Sequence, residues 1–133
     1  MKMTRFLLFL LICLSLISCK TAKHSDSVSI KGSIKISSNK VSENITEGSE
    51  INGHVFSKVD KKFLDGAIIE IDDNKKYYTN KNGYFEFKVN PGKYKISATY
   101  FGHTSMSIVN VIVEEKHSLN IDFELGTEMI ICR

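Results

Sequence analysis

The chain predicts an all-β fold, a seven-stranded antiparallel β-sandwich. Three observations carry that expectation. From Ile51 onward apolar residues alternate with polar ones in short runs, and no run repeats at the helical period. The runs are rich in β-branched and aromatic residues, which suit a pleated, half-buried surface. Asn, Asp, Gly and the single proline separate them at close spacing, as turns between strands require.

Taken in order, Ile51, Gly53 and Val55 share one face of a first strand. Ala67, Ile69 and Ile71 share one face of a second, after the loop holding Asp65-Gly66. Lys76 to Thr79 makes a short third, closed by Asn80-Lys81-Asn82-Gly83, where Asn and Gly tolerate positive φ. Phe85, Phe87 and Val89 then point inward, with Tyr84, Glu86 and Lys88 outward. Asn90-Pro91-Gly92-Lys93 has the residue order of a type II turn. Tyr94, Ile96, Ala98 and Tyr100 form the next inward face, and Gly102 marks a bend. Val109, Val111 and Val113 give the sixth strand, and Leu119, Ile121, Phe123 and Leu125 the seventh. Tight connections of this kind pair strands antiparallel.

The segment before Ile51 reads differently. Lys2 and Arg5 precede an apolar run from Phe6 to Ile17, the pattern of a cleaved leader spanning 1–18. That run is well short of the roughly 20 apolar residues a spanning helix needs. Leu16-Ile17-Ser18-Cys19 resembles the bacterial lipoprotein signal at each position. The resemblance implies a diacylglycerol thioether and an amide-linked acyl chain on Cys19, enough lipid for stable anchoring. Residues 19–50 are polar and serine-rich, which predicts a flexible tether. Val28, Ile30, Gly32, Ile34 and Ile36 alternate with polar residues, so an additional strand over 28–36 is the other reading. The sandwich is expected over 51–126, with a short tail at 127–133.

Composition narrows the function classes. Losing Lys2 and Arg5 lowers the formal net charge from +3 to +1, and lysines alternate with acids along the strands. Nucleic-acid binding demands a concentrated basic footprint instead. Of the three cysteines, Cys13 leaves with the leader and Cys19 is committed to lipid. Cys132 is left alone, so packing must hold the domain without an internal disulfide.

Several stretches together resemble the carboxypeptidase regulatory-like domain, a transthyretin-like Greek-key sandwich common in Bacteroidetes envelope proteins. They are Ile51-x-Gly53-x-Val55, Asp65-Gly66-Ala67-x-Ile69-x-Ile71 and Thr79-x-x-x-Gly83-x-Phe85-x-Phe87, followed by Pro91-Gly92-x-Tyr94-x-Ile96 and Phe101-Gly102-His103. The family usually has Gly-Tyr where this chain has Gly102-His103, and often an acid where it has Asn82. The resemblance implies an accessory module rather than a peptidase, and an outer-membrane transporter or surface complex as a partner.

No residue spacing supplies catalytic chemistry. A zinc carboxypeptidase uses His-x-x-Glu, whereas His24, His54, His103 and His117 are followed three positions on by Ser27, Ser57, Met106 and Asn120. Asp72-Asp73-Asn74 lacks the ligand spacing of a calcium loop and reads as a hairpin tip. The expectation is no enzyme, no cofactor and no metal. Two exposed sets suit binding. Tyr77, Tyr78 and Tyr84, beside Lys75, Lys76 and Lys81, could stack on a sugar or anchor a protein interface. Ile68, Ile108 and Ile112, with the apolar tail Met129-Ile130-Ile131, could form a docking patch.

The sequence thus predicts a lipid-anchored envelope protein that binds another protein, with a glycan as the alternative ligand. Lys20-Thr21-Ala22-Lys23 lacks the acidic cluster associated with surface export in Bacteroidetes, which points to the periplasmic side of the outer membrane.

Overall fold

Period-two alternation separates two faces along each strand, and the apolar faces meet between two sheets. The computed structural model describes residues 26–131. The leader, Cys19 and Cys132 lie outside the described residues.

One sheet carries, in spatial order, β2 (Ser33–Val41), β9 (His117–Leu125), β3 (Ser49–Ser57) and β6 (Tyr84–Val89). The other carries β5 (Lys75–Tyr78), β4 (Ile68–Ile71), β7 (Gly92–Thr99) and β8 (Met106–Val113). A ribbon of β1 (Asp26–Ile30) and β10 (Thr127–Ile131) completes the ten strands described. Burial alternates without a break along β3 and nearly so along β9. Ile51, Val55, Ile69, Ile96, Ile121 and Phe123 are fully buried in the shared core, where Phe85 packs 6.3 Å from Phe123. A fully buried aliphatic or aromatic side chain contributes about 1.5–3 kcal/mol by leaving water.

Strand direction sorts the loops onto two ends. The β3–β4, β5–β6 and β7–β8 loops gather where β9 passes into β10. There Lys58 N–H donates to the Leu125 carbonyl at 2.9 Å and Thr104 N–H to that of Gly126 at 2.8 Å. At the other end Ser42 N–H donates to the Lys116 carbonyl and Lys116 N–H to that of Gly48, each at 2.9 Å. We call these the ribbon end and the cleft end.

The tether expected over 19–50 is corrected over 26–41, which holds two strands where the alternative reading placed one at 28–36. β2 pairs with β9 from Ser33↔Glu124 to Val41↔His117, and β1 pairs with β10 from Asp26↔Ile131 to Ile30↔Thr127. β2 buries little: Ile36 and Val41 are exposed and Ile34 is half-buried. Backbone hydrogen bonds, which composition does not reveal, hold this edge strand. A bulge between Ile36 and Ser38 also ends the alternation. The 127–133 tail is likewise corrected, since its first five residues form β10.

β1–β2 and β9–β10 behave as two long strands bent together at Gly32 and Gly126. A Cβ on Gly126 would overlap the Ile30 carbonyl oxygen, and one on Gly32 the Met106 sulfur. Only glycine lets the two backbones approach so closely there.

Three further expectations change. β3 and β9 run parallel, because they are far apart in sequence and joined through the second sheet. The sixth strand shifts phase at Asn110, whose φ of 58° inserts one extra residue into β8 opposite the Tyr94–Ile96 step of β7. Val109 therefore faces solvent while Ile108 packs against the core. Gly92 has no positive φ and opens β7 instead of completing a type II turn. That turn type forms at Tyr100–His103, where Gly102 has φ 76° and His103 N–H donates to the Tyr100 carbonyl at 3.1 Å.

Candidate functional site

The cleft end opens between the two sheets. A cleft of about 660 Å³ is walled by the β2–β3 loop at Thr46-Glu47-Gly48, the β4–β5 turn, the end of β6 and Tyr94. It lies beside β5 and β6, the outermost strands of their sheets on that side. Tyr77 forms part of its floor, stacked on Phe87 at 4.4 Å between ring centroids. The Tyr94 hydroxyl donates to the Asn90 carbonyl, which fixes a second ring at the wall. Burial, and then the nearby Asp72 charge, push the Tyr94 hydroxyl above its usual pKa, so it remains a neutral donor.

The β4–β5 turn is built tightly. Asp72 and Asp73 both take positive φ, 50° and 55°, a conformation Asp tolerates better than most residues. Asp72 accepts the Lys95 N–H at 2.8 Å, and both carboxylate oxygens of Asp73 meet the Lys95 ammonium, at 3.0 and 2.9 Å. Hydrogen bonding to Asp73, then its charge, raises the Lys95 pKa. These carboxylates serve the fold. Asn74, Lys75 and Lys88 line the cleft with a side-chain amide and two ammonium groups. The arrangement offers ring faces, cations and hydrogen-bonding groups to a bound molecule.

The tyrosines expected together are not brought together. Tyr77 turns inward to the cleft, while Tyr78 is exposed on the outer face of its sheet opposite Ile68. Tyr84 lies on the outer face of the other sheet, its ring 5.3 Å from His54. The Tyr84 hydroxyl donates to Glu86 at 2.7 Å. Burial, then that carboxylate, push its pKa up to about 12. The isoleucine patch divides too: Ile112 is exposed, Ile68 is half-buried, and Ile108 points inward behind the β8 bulge. Met129-Ile130-Ile131 is engaged along its backbone by β1.

Histidines are scattered among the described residues. The His54 ring is 3.5 Å from Asp122, and that of His117 is 3.4 Å from Glu114. His103 stands edge-on to Tyr100, 5.4 Å between ring centroids. Among the described residues no three His, Cys, Asp or Glu side chains gather as a metal site.

Sequence reasoning passed over the ribbon end. Phe101 is 97% exposed there, on the turn closed by Gly102. Val59, in the β3–β4 loop of the same end, is about half exposed. An aromatic residue just before a turn glycine was the available signal, because that corner of a type II turn projects outward. Below these loops Glu124 accepts from Ser33 at 2.5 Å and pairs with Lys61. Lys61, then Ser33, hold its carboxyl below the usual glutamate range.

Among solved structures, the chain is similar to two mutants of a type II Cohesin-X-Dockerin complex from Acetivibrio cellulolyticus. The N-terminal interface mutant matches at 27% identity and a TM-score of 0.46, covering 55% of this chain and 52% of that one. The C-terminal interface mutant matches at 26% and 0.45, with the same coverage. This chain thus spans about half the length of each. No curated protein matches. A protein-family profile, the CarboxypepD_reg-like domain, matches residues 51–132, from the first residues of the buried β3 face through β10. That match covers more than half of the sequence, and the chain belongs to the CarboxypepD_reg-like domain family.

Proposed function

We propose that this chain is a lipid-anchored, non-catalytic protein of the bacterial cell envelope whose sandwich binds another envelope protein. One observation carries the reading: the strand leading back to Cys19 leaves the ribbon end, and the cleft opens at the opposite end. A membrane anchor on Cys19 leaves the cleft and the outer edges of β5 and β6 facing outward. A free strand edge can take an extended segment of a partner by backbone pairing. Anchoring raises the effective concentration of the module toward a membrane partner without adding contacts. An outer-membrane transporter or its surface complex fits that position, and the periplasmic side is the side proposed.

Crosslinking in intact cells, followed by mass spectrometry, tests side and partner together. The expected result is one envelope protein captured from positions such as Lys88 and lost in a Cys19→Ala form that still folds. Capture unaffected by Cys19→Ala would sink the display mechanism.

A glycan is the second reading, favoured by the Tyr77 and Tyr94 rings set among hydrogen-bonding groups in the cleft. A glycan array with the wild-type chain and an Asn74→Ala, Lys75→Ala double variant decides it. Reproducible binding that the variant loses would put a sugar in place of the protein partner.

A further inference from the structure

We infer that the ribbon end is a membrane-contact face, with Phe101 as its inserted side chain and the bilayer that holds Cys19 as its occupant. The inference rests on the lipid-anchor reading. Its first support is the geometry of Phe101. The ring is 97% exposed and sits on the turn closed by Gly102. Val59 is exposed on a loop of the same end, and apolar tips that share one end of a domain, unlike a lone exposed side chain, mark an interaction surface.

The surrounding loops have interfacial chemistry. Val59 is half exposed on the β3–β4 loop, and Lys62 and Lys81 are exposed on the β3–β4 and β5–β6 loops. Asp60 sits among them, 3.8 Å from the Lys62 ammonium, so the face is mixed rather than strongly basic. Aromatic and aliphatic tips enter the headgroup boundary while lysine ammonium groups remain at phosphate level.

Chain length fixes the occupant. The seven steps from Cys19 to Asp26 span at most about 25 Å. The five residues of β1 add about 17 Å. β1 pairs along its length with β10, and the two form a sheet of their own. Cys19 can therefore lie level with Phe101, whereas the cleft end is a further nine-residue strand away, about 30 Å. Without the pairing of β1 and β2, a 31-residue tether would have left the sandwich free to tumble. With it, one end stays close to the lipid.

The chain contains no tryptophan, so Phe101→Trp introduces a unique fluorophore. The lipidated variant would be reconstituted into phosphatidylethanolamine–phosphatidylglycerol vesicles, with and without brominated acyl chains. Expected results are a blue shift relative to the soluble Cys19→Ala form and loss of emission on brominated lipid. Asn74→Trp, at the cleft end, should show neither. Water-like, unquenched Phe101→Trp emission from a protein that floats with the vesicles would overturn the inference and leave the anchor standing. A blue shift produced only by added envelope protein, unquenched by brominated lipid, would overturn it in favour of a protein contact. A mature chain that mass spectrometry finds without acyl groups, and that does not float, would remove the anchor and this inference together.

Discussion

The two ends of the sandwich are built from the same strands and solve opposite problems. At the cleft end polar pairs brace the turns: Asp72 and Asp73 hold Lys95, and Tyr94 holds Asn90. That leaves a recess with fixed walls. At the ribbon end Lys61, Ser33 and Glu124 likewise tie the edge strand to a loop, but Phe101 and Val59 are left without cover. A concave surface with braced walls suits a discrete ligand, whereas exposed apolar tips suit a soft, extended one. The difference lies in the loops, since one core supports both ends.

Substitutions can break that comparison by degrees. Phe123→Ala empties the centre of the core and should cost about 3–5 kcal/mol in chemical denaturation, felt equally at both ends. Gly126→Ala should cost about 1–3 kcal/mol through the clash with Ile30. Its effect should be local: amide exchange should accelerate in β1 and β10 while the cleft-end turns keep their protection. Uniform acceleration would show that the ribbon and sandwich unfold as one unit. Tyr94→Phe removes the bond to Asn90 and should cost about 1 kcal/mol, loosening the cleft end alone.

Acid should act on the ribbon end with a smaller effect. The folded-state pKa of Glu124 is depressed, so the folded chain binds its proton less readily than the unfolded chain. Its contribution is complete above the ordinary glutamate pKa of 4.5 and is lost as pH falls through the lower folded value. Lys61 is largely exposed, so the effect should stay under about 1 kcal/mol. Denaturation midpoints between neutral and acidic pH should therefore slope less in Glu124→Gln than in the wild type. Phe101→Ser should have the smallest effect on stability, within about 0.5 kcal/mol, since the ring touches nothing it could destabilise. A larger loss would mean that Phe101 serves the fold.

What the sequence made legible follows burial. The inward faces of β3, β4, β6 and β9 are readable residue by residue, because one face of each is buried and its alternation is unbroken or nearly so. β2 was legible only as the alternative strand over 28–36, because its pairing is carried by the backbone, with Ile36 and Val41 in solvent. In β8 a single inserted residue at Asn110 reversed the inferred facing of Ile108 and Val109. The three tyrosines shared a hairpin in sequence, but alternation along β5 and a change of sheet before β6 sent them to three surfaces. The cleft draws on segments from Thr46 to Tyr94, and a linear pattern does not show which loops meet at one end.

The bent pairing of β1–β2 with β9–β10 also sets how the protein responds to mechanical force. Its hydrogen bonds lie across the strands, and the N-terminal strand runs antiparallel to the C-terminal one. A pull on the N-terminus, resisted by a partner at the cleft end, drags β2 lengthwise past β9. The ladder bonds then share the load at once instead of parting one after another, so the strand that composition cast as slack would bear tension.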